Sequence, residues 1–148
     1  MKGQFVEWDD RYAVGVATID GQHMELFRFT NDLYDACQQN DAGVTKQFKE
    51  TLQKAVRYVA EHFRTEEQIM QQTKMPELEA HKSEHDLFVR KVMKEAANLD
   101  GGGGDAPELF VRFLKDWISS HVTATDVKIG EHIARQKAEG LIAADIVF

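Results

Sequence analysis

Residues 78–92 read LEAHKSEHDLFVRKV, and the three- and four-residue spacing of Leu78, His81, His85, Phe88 and Val92 sets two histidines inside an otherwise apolar helical stripe. Burying an imidazole without a partner costs on the order of several kcal/mol, so two of them on one buried face need something in common. The core of the stretch, HKSEH (81–85), also fits the H-x-x-E-H pattern of inverted zinc peptidases. Its spacing fixes a shared face and leaves the metal open.

Working outward, the same interruption recurs. The stripe of Leu52, Ala55 and Val59 runs on through His62 and Glu66 before reaching Ile69, and Phe110, Leu114 and Trp117 lead to His121. A first helix is expected from Asp20, a plausible N-cap, through Met24, Phe27, Leu33 and Cys37 to the polar QQNDAG. The second carries Phe48 to Ile69, the third is expected to begin at Pro76, and the fourth follows Gly101–Gly104 and Pro107. Residues 1–19 lack helical period and read as an extended arm bearing Phe5, Trp8 and Tyr12. Beyond residue 130 the pattern weakens toward an apolar end, LIAADIVF, which reads as a C-terminal extension over 131–148. Four helices of similar length with short connections imply an all-α, up-down-up-down four-helix bundle over residues 20–130, in one domain spanning 1–148.

Composition sets the outer bounds. The chain has 148 residues, 43% hydrophobic and 29% charged, with a net charge of -7. An acidic chain without clustered Lys and Arg argues against nucleic acid and anionic membrane surfaces as partners. No apolar run approaches the roughly 18 residues of a membrane span, and MKGQFVEWDD lacks a signal-peptide pattern, so a cytoplasmic location is expected. The single cysteine, Cys37, excludes an internal disulfide framework and reads as a small core residue.

Placing the turns at about residues 41, 74 and 103 puts His23, His62, His85 and His121 roughly 27–32 Å from the same end of the bundle. His81 lies about one turn from His85, and Glu66 about one turn from His62, so six inward groups from four helices converge on one pocket. A lone core histidine is usually a hydrogen-bonded structural residue; five of the chain's six at one depth imply a shared metal. His132 falls outside this level and reads as a surface residue. Glu67, Glu84 and Asp86 point away from the stripes and read as solvated charges.

The segments IDGQHMELF around His23, HFRTE at 62–66, HKSEH at 81–85 and WISSHVTATD at 117–126 resemble the hemerythrins, most closely the single-domain bacterial kind, over about residues 5–130. The resemblance implies that His81, His85 and His121 hold one iron and His23 and His62 another, with Glu66 and Asp126 bridging. Asp126 enters on resemblance alone, because five residues beyond His121 it lies about 140° around an ideal helix. Two non-haem irons with an oxo or hydroxo bridge are the implied cofactor, and O2, bound reversibly at the position left open, is the implied ligand. Met24, Phe27, Phe63, Ile118 and Val122, each adjacent to a ligand or one turn away, are candidates to line an apolar O2 pocket, with ordinary packing as their other role. Met75 and Ile129 stand where an aromatic is common in the family.

The peptidase reading fails because no strand-rich cleft is in the pattern and Glu84 would have to face inward beside histidines already committed. The expected function is therefore oxygen carriage or storage rather than enzymatic turnover. The alternatives are a sensor of oxygen or iron, or a di-iron enzyme acting on peroxide or nitric oxide. A protein partner, such as an oxygen-consuming enzyme, is left unidentified by the sequence.

Overall fold

A computed structural model describes residues 4–38, 46–100 and 107–148 of the chain. Helix α1 spans Ala17–Gln38, α2 Lys46–Gln72, α3 Leu78–Asp100 and α4 Pro107–His121. A π-helical turn, Val122–Asp126, then carries the chain into α5, Val127–Ala138. Because α4, the turn and α5 are continuous, four rods result, in the expected all-α bundle, and no strand occurs among the described residues. The four-glycine loop and most of the polar QQNDAG stretch lie outside those residues.

Each rod buries the stripe its spacing marked. On α2 the buried positions are Phe48, Ala55, His62, Phe63, Glu66, Ile69 and Met70. Two apolar clusters form the core. One gathers Ile19, Leu26, Phe27, Met70, Ile118, Val122, Ile129 and Ile133 with the arm residues Val6, Tyr12, Val14 and Val16. The other gathers Leu33, Phe48, Phe63, Phe88, Val92, Phe110 and Leu114. On α2 and α3 the buried polar residues fall between these clusters, so the site sits within the packed interior and not at its rim. Cys37, expected in the core, is only partly buried, with its thiol donating to the Tyr34 carbonyl at 3.0 Å.

The helix starts differ from expectation. Asp20 does not cap α1: the Asp20 N–H bonds the Val16 carbonyl at 2.9 Å, so the first turn opens earlier. Its carboxylate turns back to accept the N–H groups of Val14 (2.7 Å) and Gly15 (3.2 Å), capping the arm instead. Pro76 is not the first residue of α3, which starts at Leu78, but lies in the turn closed by the Leu78 N–H on the Met75 carbonyl (3.2 Å), just after the end of α2. There the Met75 N–H reaches the Met70 carbonyl and the Lys74 N–H the Gln71 carbonyl, with Lys74 at φ 53°. These two bonds define a Schellman motif, and its apolar pair is Met70 with Met75, both buried. α5 ends the same way, with Gly140 (φ 72°) in the left-handed position and the Leu141 N–H on the Gln136 carbonyl.

The arm and the extension close on the bundle. Residues 4–16 are irregular apart from a 3-10 turn, Asp10–Tyr12. The Asn31 amide both donates to the Val6 carbonyl and accepts from its N–H, each at 2.9 Å. Phe5 stacks on Tyr34, and Trp8 and Tyr12 meet Phe27 edge-on. At the other end of the chain, Ile142 and Phe148 pack against the first cluster, and the Phe148 carbonyl accepts from Thr18 Oγ1 at 2.7 Å. His132 is not a free surface residue: its ring donates from Nε2 to the Thr73 carbonyl at 2.8 Å, beside the Gln136 amide at 2.6 Å, which bolts α5 to the α2–α3 turn.

Two substitutions test this packing. A Cβ on Gly130 would lie 1.7 Å from the Val14 carbonyl oxygen, so Gly130→Ala should lose about 2 kcal/mol or more in denaturant unfolding as the arm is forced off α5. Lys74→Gly should instead gain up to about 1 kcal/mol, because a side chain is strained in the left-handed conformation that the motif requires.

Candidate metal centre

Seven polar side chains meet inside the bundle. α1 supplies His23, α2 supplies His62 and Glu66 one turn apart, and α3 supplies His81 and His85 one turn apart. α4 ends on His121 and the π turn ends on Asp126. All seven are buried, with Glu66, His23 and Asp126 at 0% exposure.

Asp126 is the residue that helical spacing misplaces. The Val127 N–H bonds the Val122 carbonyl five residues back, the hydrogen-bond step of a π-helix. The wider turn brings residue i+5 back over residue i, so Asp126 returns to the face of His121, and Asp126 Oδ1 lies 3.0 Å from His121 Nε2.

The donor atoms fall into two groups that share both carboxylates: His81, His85 and His121 with Glu66 and Asp126, and His23 and His62 with the same pair, all ligand atoms within a group lying within 4.8 Å of one another. Each carboxylate divides its oxygens between the groups. Glu66 Oε2 faces His81 (3.1 Å) and His85 (3.6 Å), while Glu66 Oε1 faces His23 (3.2 Å) and His62. Asp126 Oδ1 faces His81 (2.9 Å) and His121, while Oδ2 faces His23 at 3.0 Å.

These residues fit a pair of cations. The Nε2 atoms of His81, His85 and His121, Glu66 Oε2 and both Asp126 oxygens are buried without a directed hydrogen bond, although they crowd one another at hydrogen-bond distances. Buried polar atoms do not persist unsatisfied at such density. Donors about 2.1 Å from a metal ion lie about 3.0 Å from their neighbours around it, which is the spacing found. Imidazole with carboxylate suits iron among the first-row metals.

Behind the rings stands a second set of three contacts, all of which the sequence reading missed. His62 Nδ1 donates to Gln22 Oε1 (2.7 Å), His85 Nδ1 to Glu67 Oε2 (3.0 Å) and His121 Nδ1 to Glu84 Oε2 (3.0 Å). Glu67 and Glu84 are therefore not simply solvated, whereas Asp86 is exposed as expected. A ligating histidine nearly always anchors its other nitrogen, so a search for acceptors was the available signal. Gln22, Glu67 and Glu84 all escape it because each serves a ring on another helix.

The proposed pocket residues divide. Phe63 lies flat on His85, with ring centroids 3.7 Å apart, and Trp117, read only as core, lies likewise on His121 at 4.3 Å. Phe27, Ile118 and Val122 are buried in the first apolar cluster. Met24 does not line the centre: it is 47% exposed and borders an open surface depression beside Trp8. One residue on from His23, it is carried about 100° around the helix and off the buried face.

The comparisons bear on this geometry. The family model described as Hemerythrin HHE cation binding domain matches residues 14–133. The chain belongs to the hemerythrin family. It is 31% identical over 121 residues to a myohemerythrin from Sipunculus nudus, covering 82% of this chain and 88% of that one. To a bacteriohemerythrin from Methylococcus capsulatus it is 30% identical over 120 residues, covering 80% of this chain and 88% of the relative. A crystal structure of wild-type hemerythrin superposes with a TM-score of 0.80 at 25% identity, covering 88% of this chain and 98% of that one. No described helix of this hemerythrin is long and apolar enough to cross a membrane.

The charges at the centre are mutually held. Burial disfavours the carboxylate of Glu66, but His62, His23 and His81 outweigh it and keep the group well below its ordinary range. Asp126 is pushed up by burial and by Glu66, yet hydrogen bonds from His121, His23 and His81 leave it lowered. Burial likewise works against charging His23 and His81, and Asp126 and Glu66 outweigh it, raising each ring to about 9.

A sign follows for the metal-free chain. Rings raised from 6.5 to about 9 contribute stability that is complete below pH 6.5 and is lost as pH rises through 9. Metal requires the same rings neutral, so uptake at pH 7 should release about two protons per chain from His23 and His81, falling to none above pH 9. Indicator-dye titration in weak buffer reads the release directly. In parallel, urea unfolding of the metal-free protein should show stability falling from pH 7 to pH 9.5.

Proposed function

We propose that this hemerythrin binds O2 reversibly, as an oxygen carrier or store, at two non-haem irons held by His23, His62, Glu66, His81, His85, His121 and Asp126. The observation that carries the reading is the division of each shared carboxylate, one oxygen to each histidine group. Such an arrangement suits two ions side by side and is wasted on one. The three-histidine group has one more donor than the two-histidine group, so the second ion is left a position short.

When bound, the irons would supply the electrons and the open position that O2 takes up. The chain's own residues do the rest. Glu66 and Asp126 hold the pair together and balance its charge. The flat faces of Phe63 and Trp117 fix the rings of His85 and His121, and with Ile118 and Val122 they keep water from the ligands. An apolar cavity of about 70 Å³, lined by residues including Leu33, Val56, Phe88, Leu114 and Ile118, adjoins this wall. Its lining favours an apolar gas over water, which supports the carrier reading.

The test is anaerobic reduction followed by air, with iron counted per chain and the visible spectrum recorded. Two irons and a charge-transfer band that appears with O2 and disappears when O2 is pumped off are the expected result. Catalytic consumption of O2 or peroxide with a reductant would instead make the protein an enzyme. His62→Ala should lower the iron count from two to about one and abolish the band while leaving the helical content unchanged.

A further inference from the structure

The two histidine groups differ in what stands behind their rings. In the three-histidine group, carboxylates accept from the Nδ1 atoms of His85 and His121. In the two-histidine group, the neutral Gln22 amide accepts from His62, and His23 Nδ1 is buried with no hydrogen-bond partner. An acceptor at Nδ1 fixes the tautomer that turns the Nε2 lone pair toward a metal, and a carboxylate also makes that lone pair more basic. A ring with no acceptor at Nδ1 lacks that fixing of its tautomer and that contribution from behind.

Glu84 does more than hold one ring. Its Oε2 accepts from His121 Nδ1 and also from Thr125 Oγ1 at 3.0 Å. One carboxylate oxygen on α3 thereby pins both ends of the segment from His121 into the π turn, whose last residue is Asp126. The three-histidine group thus has two anchored rings before any ion arrives, while the braced carboxylate, Asp126, serves both groups. The two-histidine group has one ring held from behind by an amide and one, His23, whose Nδ1 has no partner.

We infer that the two halves of the centre bind metal with unequal strength: the His81, His85 and His121 half fills first, and Glu84 and Glu67 are the positioning residues that set the order. This rests on the two-ion reading proposed above. Glu67 and Glu84 keep 28% and 49% side-chain exposure, so solvent screens their charge and much of their effect is orientation.

Titrating the metal-free protein with Co²⁺ alone, followed by its visible absorption and by calorimetry, tests the inference without any oxygen chemistry. Two resolved steps are expected. Glu84→Gln and Glu67→Gln should each weaken the first step about 10- to 100-fold and leave the second in place. Glu84→Ala should weaken it further, since the glutamine still accepts from His121 and alanine does not. Thr125→Val, which spares His121 and loosens only the brace behind the shared Asp126, should weaken both steps slightly and leave their order unchanged. Gln22→Glu should strengthen only the second step and bring the two together. If both equivalents enter with one affinity, or if the Glu84 variants weaken both steps alike, the order of filling is wrong while the two-ion centre stands. Fewer than two Co²⁺ per chain in the unaltered protein overturns the two-ion reading and the inference with it.

Discussion

Two carboxylates, Glu66 and Asp126, stand at zero exposure between the apolar halves of a helical bundle, and the rest of the structure answers to that. An isolated buried carboxylate is too costly to keep ionised, so something positive has to be delivered to both of its oxygens. Five imidazoles from four rods are aimed there, and in the metal-free chain two of them carry charge near neutrality for the same reason. The centre is thus a place where protons and metal ions compete for one set of lone pairs. Folding and loading are two ways of meeting a single electrostatic demand.

Rigid placement of those lone pairs comes from far outside the centre. Asp20, three residues before His23, ties α1 to the arm through Val14 and Gly15, while the arm passes so close to α5 that only a glycine fits at 130. His132 and Gln136 hold the carbonyl of Thr73, fixing the turn that launches the helix bearing His81 and His85. The last part of the arm, the C-terminal extension and the one fully described interhelical turn therefore converge on the same half of the bundle, while Phe5 at the start of the arm stacks on Tyr34 in the other half. Every ligand-bearing rod is restrained within a few residues of its ligand or by a ring stacked upon it.

Much of this was legible because helical arithmetic is strict. Equal distances from the turns were enough to place His23, His62, His85 and His121 at one depth, and the apolar stripes interrupted by His62, Glu66, His81 and His85 announced which faces were buried. Four kinds of feature escaped. Asp126 was out of phase for a regular helix and was supplied by family resemblance alone, since only the π turn brings it round. Glu67, Glu84 and Gln22 act across helices, and no period within one segment reports a bond to another. Met24 was chosen for adjacency to His23, yet adjacency along a helix turns a side chain aside. The helix starts were misread where a side chain caps something other than its own helix, as Asp20 does, or where a proline sits in the turn just ahead of its helix, as Pro76 does.

The π turn also commits the chain beyond the centre. It is a helix carrying one residue more than its hydrogen-bond ladder can use, and everything after it inherits the offset. Winding the same residues, none removed, as regular α-helix would rotate α5 by about 100°. Ile129 and Ile133, now buried, would swing toward solvent, and Gly130 would leave the Val14 carbonyl it makes room for. The widened turn that brings a carboxylate inward thus also sets the rotational phase of α5 and of the extension folded back behind it. It can be straightened only together with the packing of everything after it, which makes a local irregularity as hard to remove as a core residue.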